Sequence, residues 1–203
     1  MNYLKYLTEE IHSTVMATVD ENGLPVTCAI DIMDYDENGL YFLTARGKNF
    51  YARLKRSGYV SLTGTKGTDT LSCVAISVRG KVEEAGSDYL NRMFEKNSYM
   101  YEIYPAKKSR MALTVFRIYD GCGEWFDLSK KPIERASFSF GNGIKTVDGY
   151  YITDKCIGCK KCIEVCPQGC IDFTDGYARI IQSSCLHCGN CFTICPVKAV
   201  EKL

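Results

Sequence analysis

Nine of the twelve cysteines in this chain fall between residues 156 and 195, and their spacing is what most plainly can do chemistry. Cys156, Cys159, Cys162 and Cys166 are followed by Pro167; shifted by 29 positions, they land on Cys185, Cys188, Cys191 and Cys195, followed by Pro196. Both copies read C-x2-C-x2-C-x3-C-P, the spacing by which thiolates hold a cubane 4Fe-4S cluster, so two copies predict two 4Fe-4S clusters. Two-residue gaps let three thiolates curl around one face of a cube, while the fourth, ahead of a chain-turning proline, points away. A zinc ribbon would use two C-x2-C pairs without the third cysteine or the proline.

The region from about 150 to 203, with its lead-in YYITDKC, resembles bacterial two-cluster ferredoxins. That resemblance implies that the fourth cysteine of each copy serves the other cluster. Cys156, Cys159, Cys162 and Cys195 would then hold one, and Cys185, Cys188, Cys191 and Cys166 its partner. It also implies a short hairpin over IDFTDGYARII. The repeat mate of Cys170 is Ala199, which makes Cys170 a buried packing residue rather than a ligand. His187, opposite Gly158, reads as a spacer able to tune the cluster through a hydrogen bond to sulfur.

Something must position those cysteines and give their electrons a use. DENG at 20–23 and again at 36–39 predicts two tight type I′ hairpin turns, joining STVMATV, LPVTCAIDIM and LYFLTA into a three-stranded meander. GKNFYARLKRSG carries Phe50 and Leu54 at helical spacing and ends at Gly58. YVSLTG, LSCVAISVRGKVEEA, a polar helix SDYLNRMFEKNS and two closing strands, ALTVFRIYDG and EWFDL, complete an α+β domain of about six strands around a small antiparallel barrel.

Within it, residues 39–64 run from a strand ending on Thr44 through a basic-glycine-basic turn into a cationic helix and another strand. This looks like the phosphate-binding segment of the pyridoxamine 5′-phosphate oxidase-like flavoproteins, the FMN-binding split barrels, a resemblance covering about residues 3 to 127. It suits the chemistry, because a phosphate monoester is held well by free amides at a helix N-terminus reinforced by cations. Lys48 matches the family's phosphate lysine, with Arg46, Thr44 and Asn49 as supporting donors; Lys55 and Arg56 read as a solvated face. The resemblance further implies that Thr27, Cys28 and Ala29 contact the flavin ring, and that FMN lies in a homodimer interface completed from the other subunit near Arg79 and Trp125. Trp125 reads equally as a core anchor. Nothing near Cys28 in sequence would activate it as a nucleophile. The chain lacks the basic C-terminal substrate segment of the pyridoxamine 5′-phosphate oxidases, so vitamin B6 oxidation is not expected. The combination resembles split-barrel flavoproteins with an appended ferredoxin, found mainly in anaerobes.

The expected organisation is therefore a split barrel over 1–130, a linker over 131–149 and a two-cluster domain over 150–203. With 203 residues, 46% of them apolar, and a net charge of +1, the composition is that of a soluble globular protein with no call for nucleic acid or an anionic membrane. No apolar run approaches the roughly 20 residues of a membrane span, and MNYLKYLTEEIHSTV lacks a signal peptide's apolar core, so a cytoplasmic location is expected. Three functions are compatible with these features: an FMN- and iron-sulfur-dependent oxidoreductase exchanging electrons with an external donor or acceptor, an electron carrier or redox sensor without its own substrate, and a nitroreductase-like or flavin reductase activity. His12 reads as a surface or capping residue.

Overall fold

A computed structural model describes residues 1–146 and 148–203. Residue 147, inside the expected linker, lies outside the described residues. The chain forms two compact units: Met1–Lys66, Ala75–Glu124 and Phe138–Lys145 in the first, and Gly67–Val74, Trp125–Ser137 and Thr146–Leu203 in the second.

In the first unit, helix α1 (Tyr3–Tyr6) runs into a π-helical turn (Leu7–Ile11) and then strand β1 (Ser13–Val19), β2 (Pro25–Asp31), β3 (Asp34–Asp36) and β4 (Gly39–Ala45). Helix α2 (Asn49–Ser57) leads to β5 (Tyr59–Lys66) and β6 (Val74–Gly86); α3 (Leu90–Lys96) and α4 (Met100–Ile103) precede β7 (Leu113–Asp127) and β8 (Glu134–Phe140). The eight strands form one sheet in the order β2-β1-β5-β6-β7-β4-β3, with β8 on β7. This is the split barrel anticipated from sequence, but its strand order corrects the expected meander. The second DENG turn joins β4 to the short β3, not to β2. Ile32 and Met33, consecutive and both buried, break the period-2 alternation between β2 and β3 and turn the chain inward.

Neither DENG turn is type I′, which needs two positive φ angles. Only the glycines adopt them: Gly23 at 79° and Gly39 at 139°. The aspartates decide this, since Asp20 Oδ1 accepts from the amides of Asn22 and Leu24, and Asp36 Oδ1 from that of Asn38. The two closing strands are one, the 15-residue β7. The stretch IERASFSF, inside the expected linker, supplies β8.

Helix α2 forms where predicted, burying Phe50 and Leu54 and stopping at Gly58 in the left-handed region. Phe42 stacks on Phe116 at 5.8 Å between β4 and β7. Helices α3 and α4 bury Met93, Phe94 and Met100 against Met33, Tyr41, Leu113 and Val115. Asp34, 1% exposed, fixes α3 through ion pairs with Arg92 and Lys96.

In the second unit, β9 (Tyr150–Ile152) pairs antiparallel with β12 (Val200–Lys202), and β10 (Ile171–Thr174) with β11 (Tyr177–Ile180). Helices α5 (Lys161–Glu164) and α6 (Asn190–Ile194) follow the cysteine-rich loops. Here the sequence does make a tight turn, with Asp175 and Gly176 both at positive φ (55° and 85°). No described helix is long and apolar enough to cross a membrane.

Gly39 opens the strand that carries Thr44. A Cβ there would meet the Ile118 carbonyl oxygen at 1.9 Å, in a φ region that L side chains avoid. Gly39→Ala is expected to destabilise the protein by at least about 2 kcal/mol, read from its urea midpoint.

Candidate functional site

The two cysteine loops of the second unit have the same backbone course. Each visits the left-handed region at three matched positions: Gly158 and His187 (69° and 56°), Lys160 and Gly189 (62° and 79°), Gly169 and Lys198 (58° and 52°). In every pair one copy uses glycine, and the other accepts the strain of a side chain. Left-handed residues aim backbone amides inward, toward an anionic centre. The His187 amide donates to Cys185 Sγ at 3.4 Å and the Ala199 amide to Cys195 Sγ at 3.2 Å.

Two cavities result. One, with about 330 Å³ of empty space, is lined by Cys185, Cys188, Cys191 and Cys166, backed by Ile171 and Ile180. The other, about 360 Å³, is lined by Cys156, Cys159, Cys162 and Cys195, backed by Ile152 and Val200. Each collects three motif sulfurs from one repeat and one motif sulfur from the other. Among the described residues no three His, Cys, Asp or Glu side chains group as a single metal ion requires. Four thiols spread around an apolar-backed cavity are a donor set that fits a larger, multi-iron group. Burial pushes the Cys191 thiol up to about 11 and raises that of Cys162. At Cys166 burial is outweighed by hydrogen bonds from the Cys170 and Gln168 amides and the Cys170 side chain, and the thiol sits below its ordinary value.

Cys170 is buried, as the packing role read from sequence requires, and it adds a contact that reading did not include. It is buried at 3% exposure but lines the first cavity, its Sγ 3.4 Å from that of Cys166. The signal was present as C-P-x-x-C, four residues beyond a ligand position.

In the first unit the candidate phosphate residues gather at the start of α2. Lys48 is its N-cap, with extended backbone, and its exposed ammonium makes no hydrogen bond or ion pair among the described residues. Asn49 opens the helix, also exposed. The Thr44 hydroxyl at the end of β4 is buried with no hydrogen-bond partner, an orphan that a bound acceptor would satisfy. Arg46 is less available than expected: it donates to the Met111 carbonyl at 3.0 Å and lies 3.7 Å from Glu84. Lys55 and Arg56 are not simply solvated, since Lys55 pairs with Glu84 at 3.2 Å and Arg56 donates to the Val19 carbonyl.

Two residues escaped the sequence reading. Arg53, one helical turn beyond Asn49, donates to Thr18 Oγ1 at 2.8 Å. Glu84 on β6 accepts from Thr114 at 2.8 Å, Tyr51 at 3.0 Å and Lys55, and pairs with both Arg46 and Lys55. Burial opposes its ionisation, but those hydrogen bonds and the Lys55 charge prevail and hold it below the usual carboxylate value.

Strand β2 is an edge of the sheet, with Thr27 and Ala29 exposed opposite Ala17 and Val15 of β1. Cys28 between them is half-buried. Burial raises its thiol while the Arg53 and Lys48 charges pull the other way, so this strand lies within electrostatic reach of the start of α2. A raised thiol agrees with leaving Cys28 out as a nucleophile. Arg79, on β6, donates to Cys122 Sγ at 3.5 Å. Trp125, on β7, is 6% exposed and falls in the second unit. His12 closes the π-helical turn at a φ of 63°, where its Nε2 lies 3.1 Å from the Tyr99 hydroxyl and 3.5 Å from Asp31.

Residues 3–119 match the family profile described as Pyridoxamine 5'-phosphate oxidase, and residues 155–199 match the 4Fe-4S dicluster domain. A search of curated proteins found no match. Similar solved structures include a protein from Clostridium acetobutylicum related to general stress protein 26 of B. subtilis (pyridoxinephosphate oxidase family), 18% identical with a TM-score of 0.51 over 66% of this chain and 90% of that one. A NimC/NimA family protein from the same organism is 14% identical, TM-score 0.50, over 65% and 88%. A heme binding protein from Mycobacterium smegmatis is 11% identical, TM-score 0.53, over 67% and 56%. At these identities the likeness is one of fold.

Glu84→Gln is expected to reduce stability by about 1–3 kcal/mol at neutral pH, by leaving its donors underpaired. Because the folded-state value is depressed, the contribution of Glu84 is present above the ordinary carboxylate range and is lost as pH falls through that depressed value. Urea unfolding of both proteins against pH should show the gap closing on the acid side.

Proposed function

The chain belongs to the pyridoxamine 5'-phosphate oxidase family, and on that premise we propose that it is an FMN- and iron-sulfur-dependent oxidoreductase, relaying electrons between two 4Fe-4S clusters and FMN to or from a small molecule or redox partner. The observation that carries this reading is the pair of cavities, each lined by four of the eight motif cysteines with one contributed across the repeat. Cys156, Cys159, Cys162 and Cys195 would hold one cluster, and Cys185, Cys188, Cys191 and Cys166 the other. When bound, the clusters exchange single electrons and the flavin one or two, which couples one-electron partners to two-electron organic chemistry.

The residues of the first unit are suited to binding and orientation. Lys48, Asn49 and the orphan Thr44 hydroxyl would take the FMN phosphate, with Arg53 beside Lys48 and Arg46 in support. A phosphate monoester brings nearly two negative charges. Glu84 already offsets one of the two charges of Arg46 and Lys55, and Lys48 with the α2 N-terminus supplies the positive potential nearest the expected phosphate. Thr27, Cys28 and Ala29 would present the open backbone edge of β2 to the ring. In a homodimer, Arg79 and Trp125 of the second subunit would complete the site.

Anaerobically purified protein is expected to carry eight irons and one FMN per chain; four irons, or no flavin, would break one half of the reading. On anaerobic titration, reduction of the clusters and the flavin should equilibrate within the molecule, and independent reduction would refute the relay. Lys48→Ala is expected to weaken FMN binding by roughly 10- to 100-fold, the worth of one charge-assisted hydrogen bond, while Lys55→Ala leaves it near wild type. Fluorescence titration of the flavin checks both.

A further inference from the structure

We propose that the Cys170 thiol hydrogen-bonds to the ligand sulfurs of its cavity and thereby sets the cluster held there at a higher reduction potential than its mate. The inference rests on reading the motif cysteines as cluster ligands.

The repeat itself isolates the effect. Position 170 and its mate 199 are both buried, at 3% and 1% exposure. At the mate the Ala199 amide donates to Cys195 Sγ at 3.2 Å, but its methyl group offers no side-chain donor. Only Cys170 adds a side-chain donor. Its Sγ is 3.4 Å from Cys166 Sγ, and it lines the same cavity as Cys185, so it stands among sulfurs of both repeats. Its carbonyl accepts from the Ile181 amide at 2.8 Å, which pins the residue where β10 begins. A residue needed only to fill space would be met by a methyl group, as it is at Ala199.

A reduced cluster carries one more negative charge than the oxidised one, shared with its thiolate ligands. A donor aimed at those sulfurs stabilises the reduced form more and raises the potential; hydrogen bonds to sulfur are among the levers that spread such potentials. The cavity with Cys156 has no equivalent side chain at 199, so its cluster is the lower of the two. Electrons entering the pair would settle beside Cys170.

The test is an anaerobic redox titration of the full-length protein followed by electron paramagnetic resonance, with iron counted in every variant. Cys170→Val fills the volume without a donor, Cys170→Ser keeps one, and Ala199→Cys adds one to the mate. Cys170→Val should lower one of two midpoint potentials and leave the other fixed; Cys170→Ser should stay nearer wild type; Ala199→Cys should raise the second potential. Equal shifts in the Val and Ser variants would reduce Cys170 to packing, and a single shared wild-type potential, or no shift at all, would equally overturn the proposal. Loss of four irons in Cys170→Val alone would make Cys170 a ligand and also overturn it. A parent protein without eight irons would refute the ligand assignment itself, a different result.

Discussion

Each sulfur-lined cavity of the C-terminal unit is closed by a cysteine from the opposite repeat, so neither half of that unit is complete without the other. The two strand pairs β9–β12 and β10–β11 are three and four residues long, far too short to hold a fold unaided. The apolar core around them is small: Ile171, Ala178, Cys191 and Val200, with Cys156, Cys162, Cys166 and Cys195 packed against it. The sulfurs are thus both the chemistry and much of the core. For a unit of this size, binding a multivalent group and folding become nearly the same free-energy change.

The split barrel solves a different problem, that of keeping positive charge available in one place. Five cations crowd the turn and helix between residues 46 and 56. Most are committed: Arg46 and Lys55 to Glu84, Arg53 to Thr18, Arg56 to a carbonyl. Lys48, which has no side-chain partner among the described residues, stands at the helix N-terminus, where backbone amides already favour an anion. Glu84 therefore shapes the candidate site by subtraction, offsetting part of the charge of Arg46 and Lys55 and easing their mutual repulsion.

What the sequence disclosed follows from locality. The cysteine repeat is legible because three cysteines of each copy lie within seven residues and the fourth recurs at the same interval. Helix α2 is legible because its buried pair and its glycine stop lie within nine residues of each other. Strand order is not local: nothing in LPVTCAIDIM says that β2 pairs with β1 alone while β4 crosses to β7. The turn type failed for a related reason, since Asn-Gly was read without the aspartate two residues earlier that bonds the turn amides. Glu84 looked like any charged residue on a half-exposed strand, and only the fold brings four partners to it. The contact of Cys170 with Cys166 was not legible because a repeat comparison, which identifies what is shared, discards what one copy adds.

Strand β2 carries a further consequence. It bonds to β1 on one side, and its other edge, with Thr27 and Ala29 exposed, offers a row of open amides and carbonyls. Such an edge is a template on which a second chain can add a strand indiscriminately. Pro25, at its start, withholds only one donor. Whatever covers that edge in the working protein therefore also guards its colloidal stability, and selection for occupancy of the site is at the same time selection against self-association.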